Sequence, residues 1–451
     1  MNQIDFSKKR FLVVDDQPLA REALRTIAQT VGAFAVEFAS NYQDALYRIR
    51  NNTPDIILCD YMLGEGRSGQ QLLEELRRFN LLSDETIFMM VTGEQSYEQV
   101  VSAVELVPDD YIIKPFSPDK LLLRLGRIIA KKSFFADYYQ EKRKQEYERA
   151  LAILKAKGSS EEARPYRFEI LRQRAEVLLA SGEHEAAETA YRDILENYDF
   201  PWARAGVART LHKQNKLTEA REEIERVVAS TPDYFDAADI KANICMSQGE
   251  AGEAQRVLDE VAKKTPRNYL RKRLLAEAAT LNGDTETARN AMADVIANDS
   301  MPGAVSASDK LTLARSHVGN NDKISGEKVL LGMRESEVQN LNLDEQASFA
   351  ALLAICCPEK GKIKFAGLRP ALMSAALENT ARLDILRAAM NVGDNDLADH
   401  QAEALMASEE AKKVFNSIRT QYALYGREMD FRNIQKKVAM RRIHHEDDAA
   451  A

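Results

Sequence analysis

The amino-acid sequence predicts an α/β, doubly wound, five-stranded parallel sheet followed by an all-α superhelical solenoid of paired helices. Three observations support this fold class. From residue 10 to about residue 130, short apolar runs alternate with segments of helical periodicity. After about residue 130 the strand signals vanish. Beyond that point, a pattern of small and turn-forming residues recurs every 33 or 34 residues.

Five apolar runs are the predicted strands. Each is short, rich in Val, Ile, Phe or Leu, and mostly free of polar alternation, which is typical of central strands in a parallel sheet. The runs are RFLVVD, AFAVEFA, DIILCD, TIFMMVT and DYIIKP. Segments of helical period lie between them, for example PLAREALRTIAQT and GQQLLEELRRF. Strands that alternate with helices in this way predict a doubly wound fold.

Length, charge and cysteine content limit the classes of protein. A chain of 451 residues suggests about two to four domains. Its net charge of -8 argues against nucleic-acid binding through bulk electrostatics. The four cysteines show no metal-ligand spacing, which favours a reduced cytoplasmic protein. The first apolar run ends at Asp15, well short of a signal-peptide core or a membrane span, so we expect no membrane association.

Residues 121–158 contain no proline and have helical period almost throughout, so they predict a connector that continues the last helix of the sheet domain. Four aromatic residues, Phe134, Phe135, Tyr138 and Tyr139, lie one turn apart on this helix. We favour packing of these aromatics against neighbouring helices. A homodimer seam is the open alternative.

The remaining sequence contains an internal repeat. Four segments align without gaps on Gly182, Asn215, Gly249 and Gly283, which are spaced 33, 34 and 34 residues apart. Alanine recurs in the same register in both helices of each repeat, where small side chains let two helices approach. These alanines are Ala175, Ala208, Ala242 and Ala276 in the first helix, and Ala187, Ala220, Ala254 and Ala288 in the second.

A period of 34 residues with paired helices resembles the tetratricopeptide repeat. Weaker copies follow around GNNDKISGEKVLLGM, EKGKIKFAGLRPALM and VGDNDLADHQAEALM, and DSMPGAVSASDK reads as an inserted loop. We therefore predict about seven helical pairs. The predicted domains are a sheet domain at 1–131, a connector at 132–160, repeats at 161–410 that are clearest at 168–300, and a helical cap with a charged tail at 411–451.

Polar residues follow four of the predicted strands. Asp15 and Asp16 close the first, Asp60 the third, Thr92 the fourth and Lys114 the fifth. Because the carboxyl ends of parallel strands meet at one edge of a sheet, we expect these side chains to meet there. Three adjacent carboxylates repel one another unless a cation joins them, and Mg²⁺ accepts such ligands together with phosphate oxygens. The alternative is that Asp16 only caps the following helix.

With these residues in place, the sequence from about residue 8 to 131 resembles the response-regulator receiver domain of two-component signalling. The matching residues are Asp15 and Asp16 as the acidic pair, Asp60 as phosphoacceptor, Thr92 as the hydroxyl position, Tyr111 as the aromatic switch, and Lys114 with Pro115. The resemblance implies phosphotransfer to Asp60 from a histidine kinase or phosphotransfer protein. It also implies Mg²⁺ held by Asp15 or Asp16, by Asp60 and by the backbone carbonyl of Met62.

The roles that the resemblance implies fit the residue types. Asp60 is the nucleophile, and Lys114 neutralises charge on the phosphoryl oxygens. Thr92 donates to the phosphoryl group after moving inward, which leaves room for Tyr111 to turn from exposed to buried. Two departures from the family pattern are Gly64, where many receivers have proline, and Gly69, which lies one residue later than usual. They predict a more mobile loop.

For the helical part we expect a groove that binds an output protein, so that phosphorylation gates a protein contact. We expect no enzyme activity beyond the receiver's own phosphotransfer and dephosphorylation, since no other catalytic cluster is evident. The alternative is a DNA-binding transcriptional regulator. Against it, FRNIQKKVAMRRIHH is the only cationic stretch of note, and no helix-turn-helix pattern occurs.

Overall fold

A computed structural model describes residues 5–64, 68–78, 81–93, 108–232, 234–266, 268–297, 305–408 and 411–450 of the chain. The chain forms two compact units. The first comprises Met1–Ile240 with Lys263–Tyr269, and the second comprises Lys241–Ala262 with Leu270–Ala451. No helix within the described ranges is long and apolar enough to cross a membrane.

The first unit contains the predicted sheet. Its strands are β1 Arg10–Val14, β2 Ala35–Ala39, β3 Ile56–Asp60, β4 Ile87–Thr92 and β5 Asp110–Ile113. They pair in parallel in the order β2-β1-β3-β4-β5, which confirms the predicted fold class for this part of the chain. The interpretation of all five as central strands is wrong for β2 and β5, which form the two edges and are less buried than β3 and β4. Apolar runs this short do not distinguish edge from centre.

Helices cover the sheet at α1 Pro18–Thr30, α2 Tyr42–Asn52, α3 Gly69–Arg78 and α4 Pro118–Phe134. Local signals fix their starts: Pro18 occupies the first turn of α1, Asn41 accepts from the Asp44 amide at 3.0 Å, and Ser117 caps α4. The apolar faces of α1 and α4 pack on β1, β3 and β4 around Phe11, Leu58 and Met89. Residues 94–107, between β4 and β5, lie outside the described ranges.

The predicted connector is not one continuous helix. Helix α4 ends at Phe134, and α5 Ala136–Arg143 and α6 Tyr147–Gly158 follow, with Gln145 at a φ of 61° between them. Phe135 and Tyr138 are fully buried in a cluster with residues of α6, and Phe134 lies 4.7 Å from the ring of Tyr166. The aromatics therefore pack within this chain, as the favoured interpretation predicted. A homodimer stays an untested prediction.

The rest of the described chain consists of helices. After a 3-10 turn at Glu161–Tyr166, they are α7 Arg167–Ala180, α8 His184–Leu195, α9 Pro201–Lys213, α10 Leu217–Ser230, α11 Asp236–Ser247, α12 Ala251–Lys264, α13 Tyr269–Asn282, α14 Thr285–Ala297, α15 Ala307–Gly319, α16 Lys323–Leu331, α17 Glu335–Gln339, α18 Leu343–Cys356, α19 Pro358–Ser374, α20 Asn379–Val392, α21 Asn395–Ala407, α22 Ala411–Leu424 and α23 Glu428–Ala450. This confirms the predicted all-α fold class after the sheet.

The repeat register has a direct physical basis. Each predicted turn residue has positive φ: Gly182 at 85°, Asn215 at 59°, Gly249 at 83° and Gly283 at 82°. Glycine and asparagine adopt this left-handed conformation most readily, so they recur where one helix ends and its partner begins. The eight alanines of the register are completely buried, as expected for close helix packing.

The weaker copies differ in their turns. Asn321 and Gly393 repeat the positive φ between α15 and α16 and between α20 and α21. In contrast, EKGKIKFAGLRPALM lies inside α19, and the chain turns from α18 to α19 at Cys357. Within the predicted insertion DSMPGAVSASDK, residues 299–304 lie outside the described ranges.

Candidate functional site

The carboxyl edge of the sheet brings three carboxylates together. Val14 pairs with Cys59, so Asp15 at the end of β1 lies beside Asp60 at the end of β3. Carboxylate oxygens of Asp15, Asp16 and Asp60 lie within 4.8 Å of one another. Asp15 is 1% exposed and Asp60 8%. The helix-cap alternative for Asp16 fails, because Gln17 is the N-cap of α1 and no side chain caps this helix.

Lys114 supplies the positive charge of this cluster. Its Nζ lies 2.6 Å from Asp15 Oδ2 and 3.0 Å from Asp60 Oδ1, and its peptide bond to Pro115 is cis. Burial raises the pKa of Asp60, although Lys114 partly offsets the effect. Burial also disfavours the Lys114 ammonium, but Asp15 and Asp60 outweigh this and raise its pKa. The cluster therefore holds a protonated lysine between two carboxylates.

The chain after Asp60 folds back over it. The Met62 amide donates to Asp60 Oδ2 at 3.2 Å, and Met62 pairs with Ser68 in an isolated antiparallel bridge. The Gly69 amide donates to the Tyr61 carbonyl at 2.9 Å. A Cβ atom at Gly69 would overlap the Asp60 carbonyl oxygen and lie 2.7 Å from Cys59 Sγ. The unusual glycine spacing thus marks a close backbone approach to the phosphoacceptor position.

The backbone conformation also explains why glycine occupies position 64. Its φ of 76° lies in the left-handed region, and a Cβ there would lie 3.5 Å from Asp16 Oδ2. Proline cannot adopt this backbone conformation, so the departure from the family pattern reflects a different turn beside the acidic pair. The predicted mobility of this loop concerns mainly residues 65–67, which lie outside the described ranges.

Thr92 and Tyr111 lie on the neighbouring strands β4 and β5. Thr92 ends β4, pairs with Ile113 and is buried, and its carbonyl accepts from the Lys114 amide at 2.8 Å. Tyr111 pairs with Met90 and is half-buried. The structure therefore places the predicted hydroxyl on the same sheet edge as the acidic cluster. The roles of Thr92 and Tyr111 as switch residues stay predictions.

Sequence reasoning missed a group of buried polar residues at the start of α3. Ser68, Gln70 and Gln71 are almost completely buried. Gln71 Oε1 accepts from the Ser68 amide at 2.6 Å, and Gln71 Nε2 donates to the Tyr269 hydroxyl at 2.7 Å. The leucine pattern of GQQLLEELRR places both glutamines outside the apolar stripe, so it predicts solvent exposure. The bond to Tyr269 joins residues of the same compact unit.

Comparisons with known proteins agree with this geometry. The response regulator receiver domain family matches residues 11–126, and the tetratricopeptide repeat family matches residues 178–244. The phosphate regulon transcriptional regulatory protein PhoB of Escherichia coli is 36% identical over 121 residues, which cover 27% of this chain and 52% of PhoB. The response regulator MprA of Mycobacterium sp. strain KMS is 32% identical over 124 residues, covering 28% of this chain and 52% of MprA.

The chain thus spans about half the length of these relatives. Among solved structures, a CheY-like receiver domain protein from Methanospirillum hungatei is 28% identical and covers 28% of this chain and 96% of its own, with a TM-score of 0.25. The chemotaxis response regulator CheY4 of Vibrio cholerae is 26% identical, and the match covers 27% of this chain and 98% of CheY4, also with a TM-score of 0.25. From the family matches, residues 11–126 belong to the response regulator receiver domains and residues 178–244 to the tetratricopeptide repeats.

Proposed function

We propose that this chain is a two-component response regulator that is phosphorylated on Asp60 and regulates a partner protein through its tetratricopeptide repeats. The phosphoryl donor is a histidine kinase or a phosphotransfer protein. The observation that carries the proposal is the contact of Lys114 Nζ with Asp60 inside a cluster of three carboxylates. A carboxylate nucleophile beside a fixed ammonium is suited to accept a phosphoryl group.

In the proposed reaction, an Asp60 oxygen forms a bond to phosphorus while the bond from phosphorus to the donor's histidine nitrogen breaks. Lys114 shifts its contacts from the carboxylates to the phosphoryl oxygens and neutralises their charge. The grouped carboxylates of Asp15, Asp16 and Asp60 fit Mg²⁺, which favours oxygen ligands, and the resemblance to receiver domains adds the Met62 carbonyl as a further ligand. When bound, Mg²⁺ would supply positive charge opposite the phosphoryl oxygens.

The same proposal assigns the conformational switch after phosphorylation to Thr92 and Tyr111. Thr92 donates to a phosphoryl oxygen of phosphorylated Asp60, and Tyr111 turns inward beside it. Both lie on strands that end at the cluster, which supports this assignment. We assign the chain no catalytic activity beyond its own phosphotransfer and dephosphorylation. We also propose a cytoplasmic location, which is supported by four cysteines present as free thiols.

A second candidate function is transcriptional regulation, because the name of the relative PhoB describes a transcriptional regulatory protein. The similarity to PhoB covers 27% of this chain, so it does not extend over the repeats. Titration of the full chain with random duplex DNA at low salt separates the two functions. Tight binding that weakens steeply with salt would favour the DNA-binding alternative.

The proposed function is tested with full-length protein and acetyl phosphate that carries a labelled phosphoryl group. We expect Asp60→Asn to abolish labelling and the exposed control Asp119→Asn to retain it. Affinity capture from a lysate then compares wild-type protein with and without acetyl phosphate. A set of bound proteins that changes on phosphorylation of the wild type, but not of Asp60→Asn, supports gated binding. Labelled Asp60→Asn would contradict the phosphoacceptor assignment.

A further inference from the structure

The two acidic residues that follow β1 differ in how the protein holds them. The Asp15 carboxylate accepts from the Gln17 amide at 2.9 Å and from Lys114 Nζ at 2.6 Å, so each of its oxygens has a donor. Asp16 forms no hydrogen bond or ion pair with any residue that the structure describes. The Asp16 oxygens therefore stay available for a cation, and the direction of this side chain depends on the backbone that carries it.

The backbone at this point lies beyond the sheet. Strand β1 ends at Val14, and the next amide, that of Asp15, donates to the Ala39 carbonyl at 3.1 Å. Helix α1 begins only at Pro18. The carbonyl of Asp15 thus belongs to the short connection between strand and helix, outside the hydrogen-bond ladders of both elements.

Arg21 supplies a donor for this carbonyl. From α1, its Nη1 donates to the Asp15 carbonyl oxygen at 2.6 Å. A charged donor makes a stronger hydrogen bond than a neutral one does. Arg21 forms no ion pair with a carboxylate in the described part of the chain, so it does not occupy the oxygens that would bind a cation. Arg21 is half-buried, whereas Arg25, one turn later on the same helix, is exposed.

The Asp15 carbonyl and the Asp16 amide share one planar peptide group. A donor that fixes the carbonyl oxygen therefore also fixes the direction in which the chain enters Asp16. We propose that Arg21 is a positioning residue that holds the Asp16 carboxylate in place for Mg²⁺ beside Asp60. Mg²⁺ demands near-ideal octahedral geometry, so it tolerates little error in the position of a ligand. The inference deepens the proposed function and rests on its Mg²⁺ site.

Arg21 has two effects on Mg²⁺ binding, and they have opposite signs. As a positive charge near the acidic cluster, Arg21 repels the cation, so its removal alone would tighten Mg²⁺ binding. As a residue behind the ligands, it holds a carboxylate in the binding geometry, so its removal weakens Mg²⁺ binding. If Arg21 positions Asp16, the second effect is the larger one.

The test is calorimetric titration of the full-length protein with Mg²⁺ at constant ionic strength. We expect Arg21→Met, which removes the guanidinium and keeps an aliphatic side chain, to raise the dissociation constant about tenfold. Arg25→Met is the matched control, because Arg25 lies on the same helix and its ion pair is with Glu22, outside the cluster. It should bind Mg²⁺ like the wild type. Equal or tighter binding by Arg21→Met overturns the proposal.

A double variant separates positioning from misfolding. If Arg21 acts through Asp16, removal of the Asp16 carboxylate leaves no ligand to position. We expect the combination of Arg21→Met with Asp16→Asn to bind Mg²⁺ as weakly as Asp16→Asn alone, within about twofold. A larger additional loss would show that Arg21→Met damages the site in another way, and it would overturn the positioning role.

The same titrations separate failure of this inference from failure of the proposed function. If the wild type does not bind Mg²⁺, the proposed metal site is wrong, and the role of Arg21 falls with it. If the wild type binds Mg²⁺ and Asp16→Asn binds it more weakly, the metal site stands. Wild-type affinity in Arg21→Met then overturns only the role of Arg21.

Discussion

Gln71 Nε2 donates a hydrogen bond of 2.7 Å to the hydroxyl of Tyr269, the first residue of helix α13. The other end of the Gln71 amide accepts from the Ser68 amide at 2.6 Å. Ser68 pairs with Met62, whose amide donates to the carboxylate of Asp60 at 3.2 Å. A continuous series of polar contacts thus joins the proposed phosphoacceptor to Tyr269, a residue of the same compact unit. Phosphorylation of Asp60 changes the acceptor at one end of this series.

Tyr269→Phe removes only the hydroxyl at the far end of this series. We expect the rate of phosphorylation by acetyl phosphate to be unchanged, because Tyr269 lies outside the acidic cluster. We expect the phosphorylation-dependent change in amide hydrogen exchange of residues 263–282 to fall by at least half. Tyr425→Phe, at an exposed tyrosine, serves as control. An undiminished exchange response in Tyr269→Phe would show that the signal reaches the repeats by another route.

Asp16 is the carboxylate of the cluster that is best placed to gain from Mg²⁺. Asp15 and Asp60 both contact Lys114, whereas Asp16 makes no hydrogen bond or ion pair with any residue that the structure describes. We expect Asp16→Asn to weaken Mg²⁺ binding at least about tenfold in calorimetric titration, because it removes one anionic ligand. The control Asp119→Asn should bind Mg²⁺ like the wild type. Unchanged affinity in Asp16→Asn would exclude Asp16 as a ligand.

The sequence predicts the features of this protein that depend on local pattern. Apolar runs with acids at their ends predict both the strands and the meeting of Asp15, Asp16 and Asp60. Recurrent glycine or asparagine predicts the turns, because left-handed backbone restricts the residue type. Features that depend on distant partners escape prediction. The burial of Gln71 is one example, because its partner Tyr269 lies 198 residues away. The helix break at Phe135 also escapes prediction, because no proline or glycine marks it in the sequence.

The ion pair between Glu337 and Lys310 predicts a pH-dependent contribution to stability. Burial opposes ionisation of Glu337, but hydrogen bonds from Arg334 and Lys310 outweigh this and lower its pKa to about 2 from 4.5. A carboxyl group whose pKa is lower in the folded protein stabilises the fold at pH values above its ordinary pKa of 4.5. This contribution is lost as the pH falls toward 2. We therefore expect Glu337→Gln to lower the free energy of unfolding by about 1 to 3 kcal/mol at pH 7.

The difference between Glu337→Gln and wild type should shrink steadily between pH 5 and pH 3, as measured by urea unfolding. Glu359→Gln, at an exposed glutamate, should show no such trend. A difference that stays constant over this range would mean that the Glu337 carboxylate charge contributes nothing to stability.

Helix α19 offers a matched pair of glycines that tests its packing on α18. A Cβ atom at Gly361 would overlap backbone atoms of Leu353 and Ala354, whereas nothing lies within 4 Å of a Cβ at Gly367. We expect Gly361→Ala to lower the free energy of unfolding by about 1 to 3 kcal/mol, because the added methyl group would force α18 and α19 apart. Gly367→Ala should raise the free energy of unfolding by up to about 1 kcal/mol, since alanine has a higher helix propensity than glycine at an exposed position. Thermal unfolding of both full-length variants gives the comparison, and destabilisation of equal size would refute close contact between α18 and α19 at Gly361.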